Sequence, residues 1–205
     1  MRILSFVAAF ILGSWVLLAA AQEAAQPDIK TGDRWTYQLL DKLTGEIKGS
    51  ITLSVYEVTE TEIHQKAQGK MKAPFSRVEF LDRQLNWLDN SVTQWKPDTG
   101  TYRFPLKIGK KWSQQFEAVA ISNESKTRHN ISAKVVAYEK VKVPAGEFDA
   151  FKIEYTIRNI STSDADRADS ITKSVRWYAP SVKQTVKQES ESIMGGRTRD
   201  KSVEC

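Results

Sequence analysis

Residue types that commonly carry chemistry are sparse in this chain. It has two histidines, His64 and His129, and one cysteine, the terminal Cys205. A zinc site built on cysteines is excluded, and a two-histidine site would need His64 and His129 to meet in space. A lone histidine in a strand is ordinarily a surface or packing residue. Asp164, Asp166 and Asp169 cluster in one polar stretch and offer several oxygens to a calcium ion. They lack the glycine and distal glutamate of a calcium loop, so the stretch reads as a solvated acidic turn. No Gly-x-Ser-x-Gly elbow, Gly-x-Gly-x-x-Gly turn or phosphate loop is present. The expectation is a protein that is not an enzyme and has no metal or cofactor.

The aromatic residues rise above this background. Trp35, Tyr37, Trp87, Trp95, Trp112 and Trp177 could all reach one face of a sheet. Large aromatics dominate the cores of β domains, and the same side chains line apolar ligand sites. The candidate ligand-binding set is Trp35, Tyr37, Trp87, Phe151, Tyr155 and Trp177.

Such a set needs a sheet to hold it. Residues 135–160, VVAYEKVKVPAGEFDAFKIEYTIRNI, read as two strands joined at Pro144-Ala145-Gly146. Phe151, Ile153, Tyr155 and Ile157 alternate with Lys152, Glu154, Thr156 and Arg158, the pattern of a strand with one buried and one wet face. Trp35, Tyr37 and Leu39 form an earlier alternating strand. Ile47–Val58 follows, and its apolar face switches after Val55, which implies a bulge or a bend in the strand. Further strands are expected at Thr61–Gln68, around Val78 and Phe80, at Leu85–Leu88, and at Val92–Trp95. Others are expected at Trp112–Ile121, His129–Tyr138, Ser170–Tyr178, Val182–Ile193 and Arg197–Val203, the last two joined at Gly195-Gly196. Pro105 makes its segment a crossing stretch and not a central strand. No segment after the first twenty-odd residues has a helical stripe that outweighs a strand reading. The fold class is all-β: one strongly curved antiparallel sheet, an open barrel or a sandwich.

The chain begins with Arg2, an apolar run over Ile3–Leu18 and Ala19-Ala20-Ala21, the layout of a signal helix cleaved after Ala21. The expected organisation is residues 1–21 as signal peptide, 22–31 as a flexible lead-in and 32–205 as a single β domain. The mature part has 205 − 21 = 184 residues, enough for a core without disulfides. Full-chain net charge is +5, and the basic residues are scattered without interleaved aromatics. No nucleic-acid partner is expected, and the membrane is expected to be touched only through an uncleaved signal segment. The address is periplasmic or secreted.

Val143-Pro144-Ala145-Gly146-Glu147-Phe148-Asp149-Ala150-Phe151-Lys152-Ile153 is flanked upstream by Phe104-Pro105-Leu106-x-x-Gly109-x-x-Trp112. Downstream stands Trp177-Tyr178-Ala179-Pro180-Ser181-Val182-Lys183. Together they resemble the TapB-type family of exported bacterial envelope proteins. The resemblance implies an envelope location and a sheet curved like the lipoprotein-carrier half-barrels, and it carries over no catalytic residue. The functional expectation is an exported, non-catalytic binding protein that holds a lipid-like or apolar small molecule on a concave sheet. The alternative is a structural or assembly factor that recruits an envelope protein through a sheet edge.

Overall fold

A computed structural model describes residues 22–41, 44–161, 170–194 and 197–204. The signal segment, the Asp164, Asp166 and Asp169 stretch, Gly195-Gly196 and Cys205 lie outside the described residues. The strands are β1 (Glu23–Ala24), β2 (Arg34–Asp41), β3 (Ile47–Val58), β4 (Glu62–Lys70) and β5 (Pro74–Asp82). They continue with β6 (Trp87–Asp89), β7 (Thr93–Lys96), β8 (Leu106–Lys107), β9 (Lys111–Ala120) and β10 (Lys126–Val143). The last four are β11 (Gly146–Ser161), β12 (Ser170–Ala179), β13 (Gln184–Met194) and β14 (Arg197–Glu204). A 3₁₀ turn at Pro180–Val182 joins β12 to β13.

The all-β expectation holds, and the main body is one large antiparallel sheet. Pairing runs β10-β11-β12-β13-β14-β2-β3-β4-β5-β6-β7-β9, and β9 pairs back onto β10. Where the half-barrel expectation leaves an edge open, strand pairing continues round the sheet through thin seams. β14 meets β2 over three residue pairs, Ser202–Glu204 against Leu39–Asp41, and β6 meets β7 only at Asp89 and Gln94.

The Pro-Ala-Gly corner behaves as its residues require. Val143 pairs with Gly146, leaving Pro144 and Ala145 as the turn. Gly146 has φ of +136°, a value side-chain-bearing residues avoid. The two strands it joins then pair along almost their whole length, with one irregularity between Val135 and Ala137. Of the bulge or bend expected in the strand from Ile47, a bulge is present, between Val55 and Glu57.

One part differs from the sequence reading, and one expected strand, β5, takes a parity that the reading left open. Residues 22–31 are docked, not loose: Ile29 and Ala24 are buried, and β1 pairs with β8 in a small separate sheet. Val78 and Phe80 do not face the core. Val78 is 36% exposed and Phe80 packs on His64 on the outer face, while Glu79 is 1% exposed and Leu81 is buried. The inward set of β5 is therefore Phe75, Arg77, Glu79 and Leu81. A buried ion pair inverts the apolar pattern there.

The interior divides along the strands. At one end Val55, Ile63, Leu81, Val135, Phe151, Ile153 and Tyr178 pack together. The segment between β7 and β9 enters this end. It contributes Tyr102 and Leu106, 2% and 0% exposed, and Ile29 joins them. Asn86 fastens the segment: its side-chain NH₂ donates to the Tyr102 carbonyl at 3.2 Å, and the Tyr102 N–H donates to its Oδ1 at 2.7 Å. Gly100 lies in the same segment at φ +62°, with Gln114 Cβ 3.0 Å from where its own Cβ would stand. A smaller cluster, Val141, Val143, Ala150, Trp177, Ala179 and Val186, packs on the outer face.

Candidate functional site

At the other end the interior is not filled. A cavity of about 480 Å³ is lined from β2, β3, β5, β6, β7, β9, β10, β11, β12 and β13. Five strands each contribute both to it and to the packed end. Ile51 and Leu53 line the cavity on β3, with Val55 packed; Arg77 and Glu79 line it on β5, with Leu81 packed. His129 and Ile131 precede Val135 on β10, Ile157 and Tyr155 follow Ile153 on β11, and Thr172, Ser174 and Arg176 precede Tyr178 on β12. Inward positions recur every second residue, so these rows follow from the strand period alone. The cavity persists because much of its lining is small or polar, with Thr172 and Ser174 from β12 and Thr99 and Thr101 from the segment between β7 and β9.

Its apolar wall is aromatic. Trp87 and Trp95 meet edge to face with centroids 5.2 Å apart. Phe116 stacks on His129 at 4.7 Å and 9°, because the two are register partners on β9 and β10. Register places Asn159 beside His129 and Ser170 beside Asn159. His129 Nδ1–H accordingly donates to Asn159 Oδ1 at 2.7 Å, and Asn159 Nδ2 donates to Ser170 Oγ at 3.0 Å. Burial pushes the His129 pKa down against the opposing pull of the Asn159 bond, so the ring is held neutral.

Its polar wall has two centres. Glu79 accepts from Arg77 Nε at 2.8 Å and from Gln65 Nε2 at 2.8 Å. Gln65 reaches it because it is the register partner of Glu79 on β4. The Arg77 guanidinium also lies 5.7 Å from the Trp87 ring. The second centre is Arg176, 5.4 Å from the Tyr155 ring centroid. Near it, the Tyr102 hydroxyl bonds Thr185 Oγ1, and Tyr155 Oη donates to the Thr101 carbonyl at 2.9 Å. Burial raises the pKa of both tyrosines, so their hydroxyls stay protonated.

Of the six candidates from the sequence, Tyr37, Trp87 and Tyr155 come together around the cavity. Tyr37 Oη donates to the Thr185 carbonyl at 2.9 Å. Trp35 donates through Nε1 to the Val182 carbonyl at 2.8 Å and packs against the core. Phe151 is 0% exposed within the packed end. Trp177 lies on the opposite face of the sheet. There Nε1 donates to Glu139 Oε1 at 2.9 Å, and Lys152 and Lys187 cover the ring. Arg77, Glu79, Gln65 and Arg176 were not legible as site residues. On β12 the apolar alternation of Val175 and Trp177 belongs to the outer cluster, and it hides the inward row.

The two histidines do not meet. His64 is on the outer face, with Nδ1 2.8 Å from Glu57 Oε2 and Nε2 2.9 Å from Glu62 Oε2. Among the described residues, no group of three or more His, Cys, Asp or Glu is arranged to hold a metal. No helix among them is long and apolar enough to cross a membrane.

Residues 105–193 match the DUF3108-like family. The TapB resemblance finds no support in this match. No curated protein matches the chain. Two crystal structures resemble its fold. One is a candidate lipoprotein of Parabacteroides distasonis, with TM-score 0.56 and 14% identity, covering 89% of this chain and 97% of that one. The other is a candidate exported protein of Bacteroides fragilis with a YmcC-like fold, with TM-score 0.50 and 14% identity, covering 86% and 100%. At that identity the likeness speaks to fold alone.

Proposed function

We propose that this chain is an exported, non-catalytic binding protein that takes an apolar or amphiphilic small molecule into the open end of its interior. One observation carries the reading: a cavity of about 480 Å³ whose wall includes Trp87, Trp95, Phe116, Ile131 and Ile157. Protein interiors ordinarily pack to crystal density, with few voids larger than a water molecule. Ligand sites of about 300–1,000 Å³ join apolar surface to placed polar groups; this one joins an aromatic and aliphatic wall to a polar wall that includes Arg77, Glu79 and Arg176. Ile47, Met71, Val92 and Ile121 are exposed at or beside strand ends on the cavity side, an apolar rim suited to such a ligand's entry. Export rests on the N-terminal pattern and agrees with the descriptions of the two structural neighbours.

Recruitment of a protein through a sheet edge has less to stand on. The main sheet pairs onward at each strand, and the separate β1–β8 sheet is two residues deep. Native mass spectrometry of mature protein purified without detergent tests the proposal. Bound apolar small molecules are expected, and they should disappear when Ile157→Trp fills the cavity. Protein that stays empty after incubation with excess lipid extract would sink it.

A further inference from the structure

The charged groups around the cavity do not balance. Arg77 and Glu79 neutralise each other through the 2.8 Å bond already described. His129 is held neutral by its burial. Arg176 remains, and among the described residues no carboxylate pairs with it. Its Nε is buried and meets no acceptor. Its neighbours are the Tyr155 ring face and the Tyr102 hydroxyl; the hydroxyl bonds Thr185 and also accepts from the guanidinium, which leaves Nε as the donor without a partner. A guanidinium keeps its charge at any ordinary pH and offers five donors in a planar fork. Left without an anion in a half-buried site, such a fork is poorly satisfied, and a carboxylate matches it with two parallel bonds.

Position adds to this. Arg176 is the innermost cavity residue of β12, next to Tyr178 of the packed end. The apolar wall of Trp95, Phe116, Ile131 and Ile157 extends from there toward the rim. We propose that the cavity binds an anionic amphiphile, with a carboxylate head on Arg176 and a single aliphatic tail along that wall. The head supplies the acceptor that Arg176 Nε lacks, and the tail displaces water from aromatic surface. This rests on the reading of the cavity as a ligand site, and the test separates the two.

Dodecanoate and 1-dodecanol share a chain and differ in the head. Each is titrated calorimetrically into mature protein, below its aggregation limit and at low salt. Wild type should bind dodecanoate at least tenfold more tightly than dodecanol. Arg176→Gln should lose that preference by weakening dodecanoate and leaving dodecanol unchanged. Arg176→Lys, which keeps the charge but not the fork, should retain part of it. Equal affinities in wild type, or a preference that survives Arg176→Gln, would overturn the assignment of Arg176 and leave the cavity reading intact. Binding of neither compound would overturn the cavity reading itself, and this inference with it. Acetate at the dodecanoate concentration should not compete; equal competition would make this a site for small anions and reject the amphiphile. If Arg176→Gln does not fold, the wild-type pair and Arg176→Lys decide the matter.

Discussion

The two ends of the interior use the same strands and the same inward positions, yet one is packed and the other hollow. On β11, Phe151 and Ile153 are 0% exposed, while Ile157, four residues beyond Ile153, lines a cavity. On β12, Tyr178 fills space, while Thr172 and Ser174 leave it. Strand period decides which residues face inward; side-chain volume and inserted chain decide whether the space between them closes. Here the inserted chain is the segment carrying Tyr102 and Leu106; it fills one end, and at the other it only lines the cavity, through Thr99 and Thr101. Stability should therefore concentrate at the packed end and binding at the other.

The largest effect expected from breaking this division is at Phe151. Phe151→Ala removes a fully buried ring from the packed end and should lower unfolding free energy by about 3–5 kcal/mol in urea denaturation. A loss below about 1 kcal/mol would mean that this end is not close-packed. Glu79→Ala comes next, because it strands Arg77 and Gln65 in the wall. Breaking a buried pair costs ~3–5 kcal/mol; Arg77 keeps 33% of its side chain exposed, so about 2–3 kcal/mol is expected here. Glu79→Gln should recover part of this by keeping an acceptor.

Adding volume sharpens the contrast. Ala133→Leu forces extra methylenes into packed surroundings and should cost about 1–3 kcal/mol. Ile157→Phe grows into open space and should change stability by less than about 1 kcal/mol, or raise it. Equal penalties in the two variants, measured by the same denaturation, would erase the distinction between the ends.

Much of the scaffold was legible because it obeys local rules. The strand over Ile47–Val58, its bulge, the Pro144-Ala145 hairpin and the inward row from Phe151 to Ile157 all follow from alternation and turn chemistry. The site was legible only in part, and for a physical reason. Arg77, Glu79 and Arg176 face inward as charges, against the rule that polar residues of a half-buried strand face water. On β5 and β12 the apolar residues Val78, Phe80, Val175 and Trp177 lie on the outer face and supply a plausible alternation of the wrong parity. Trp177 reads as an inward aromatic until the outer cluster that buries it is known. Tertiary context overrides the pattern wherever a sheet packs on both faces or buries a polar pair.

The smallest effects, and the finest test of inside against outside, come from the two histidines. Burial alone would lower the His64 pKa, but hydrogen bonds to Glu62 and Glu57 outweigh it and raise the pKa above 6.5. A raised folded pKa means the native state holds the proton more tightly than the unfolded chain. The His64 contribution is therefore fully present below pH 6.5 and is lost as pH rises through the raised value. His129 has the opposite sign: its pKa is lowered by burial, so the unfolded chain takes up the proton first and stability falls as pH drops below 6.5. In a series of denaturation curves from pH 5 to pH 8, His64→Gln should remove a loss of stability on the alkaline side. His129→Gln should remove a loss on the acid side, and its amide can keep the hydrogen bond to Asn159. If both variants flatten the same limb of the profile, the two rings do not occupy the contrasting outer and inner environments that the fold assigns them.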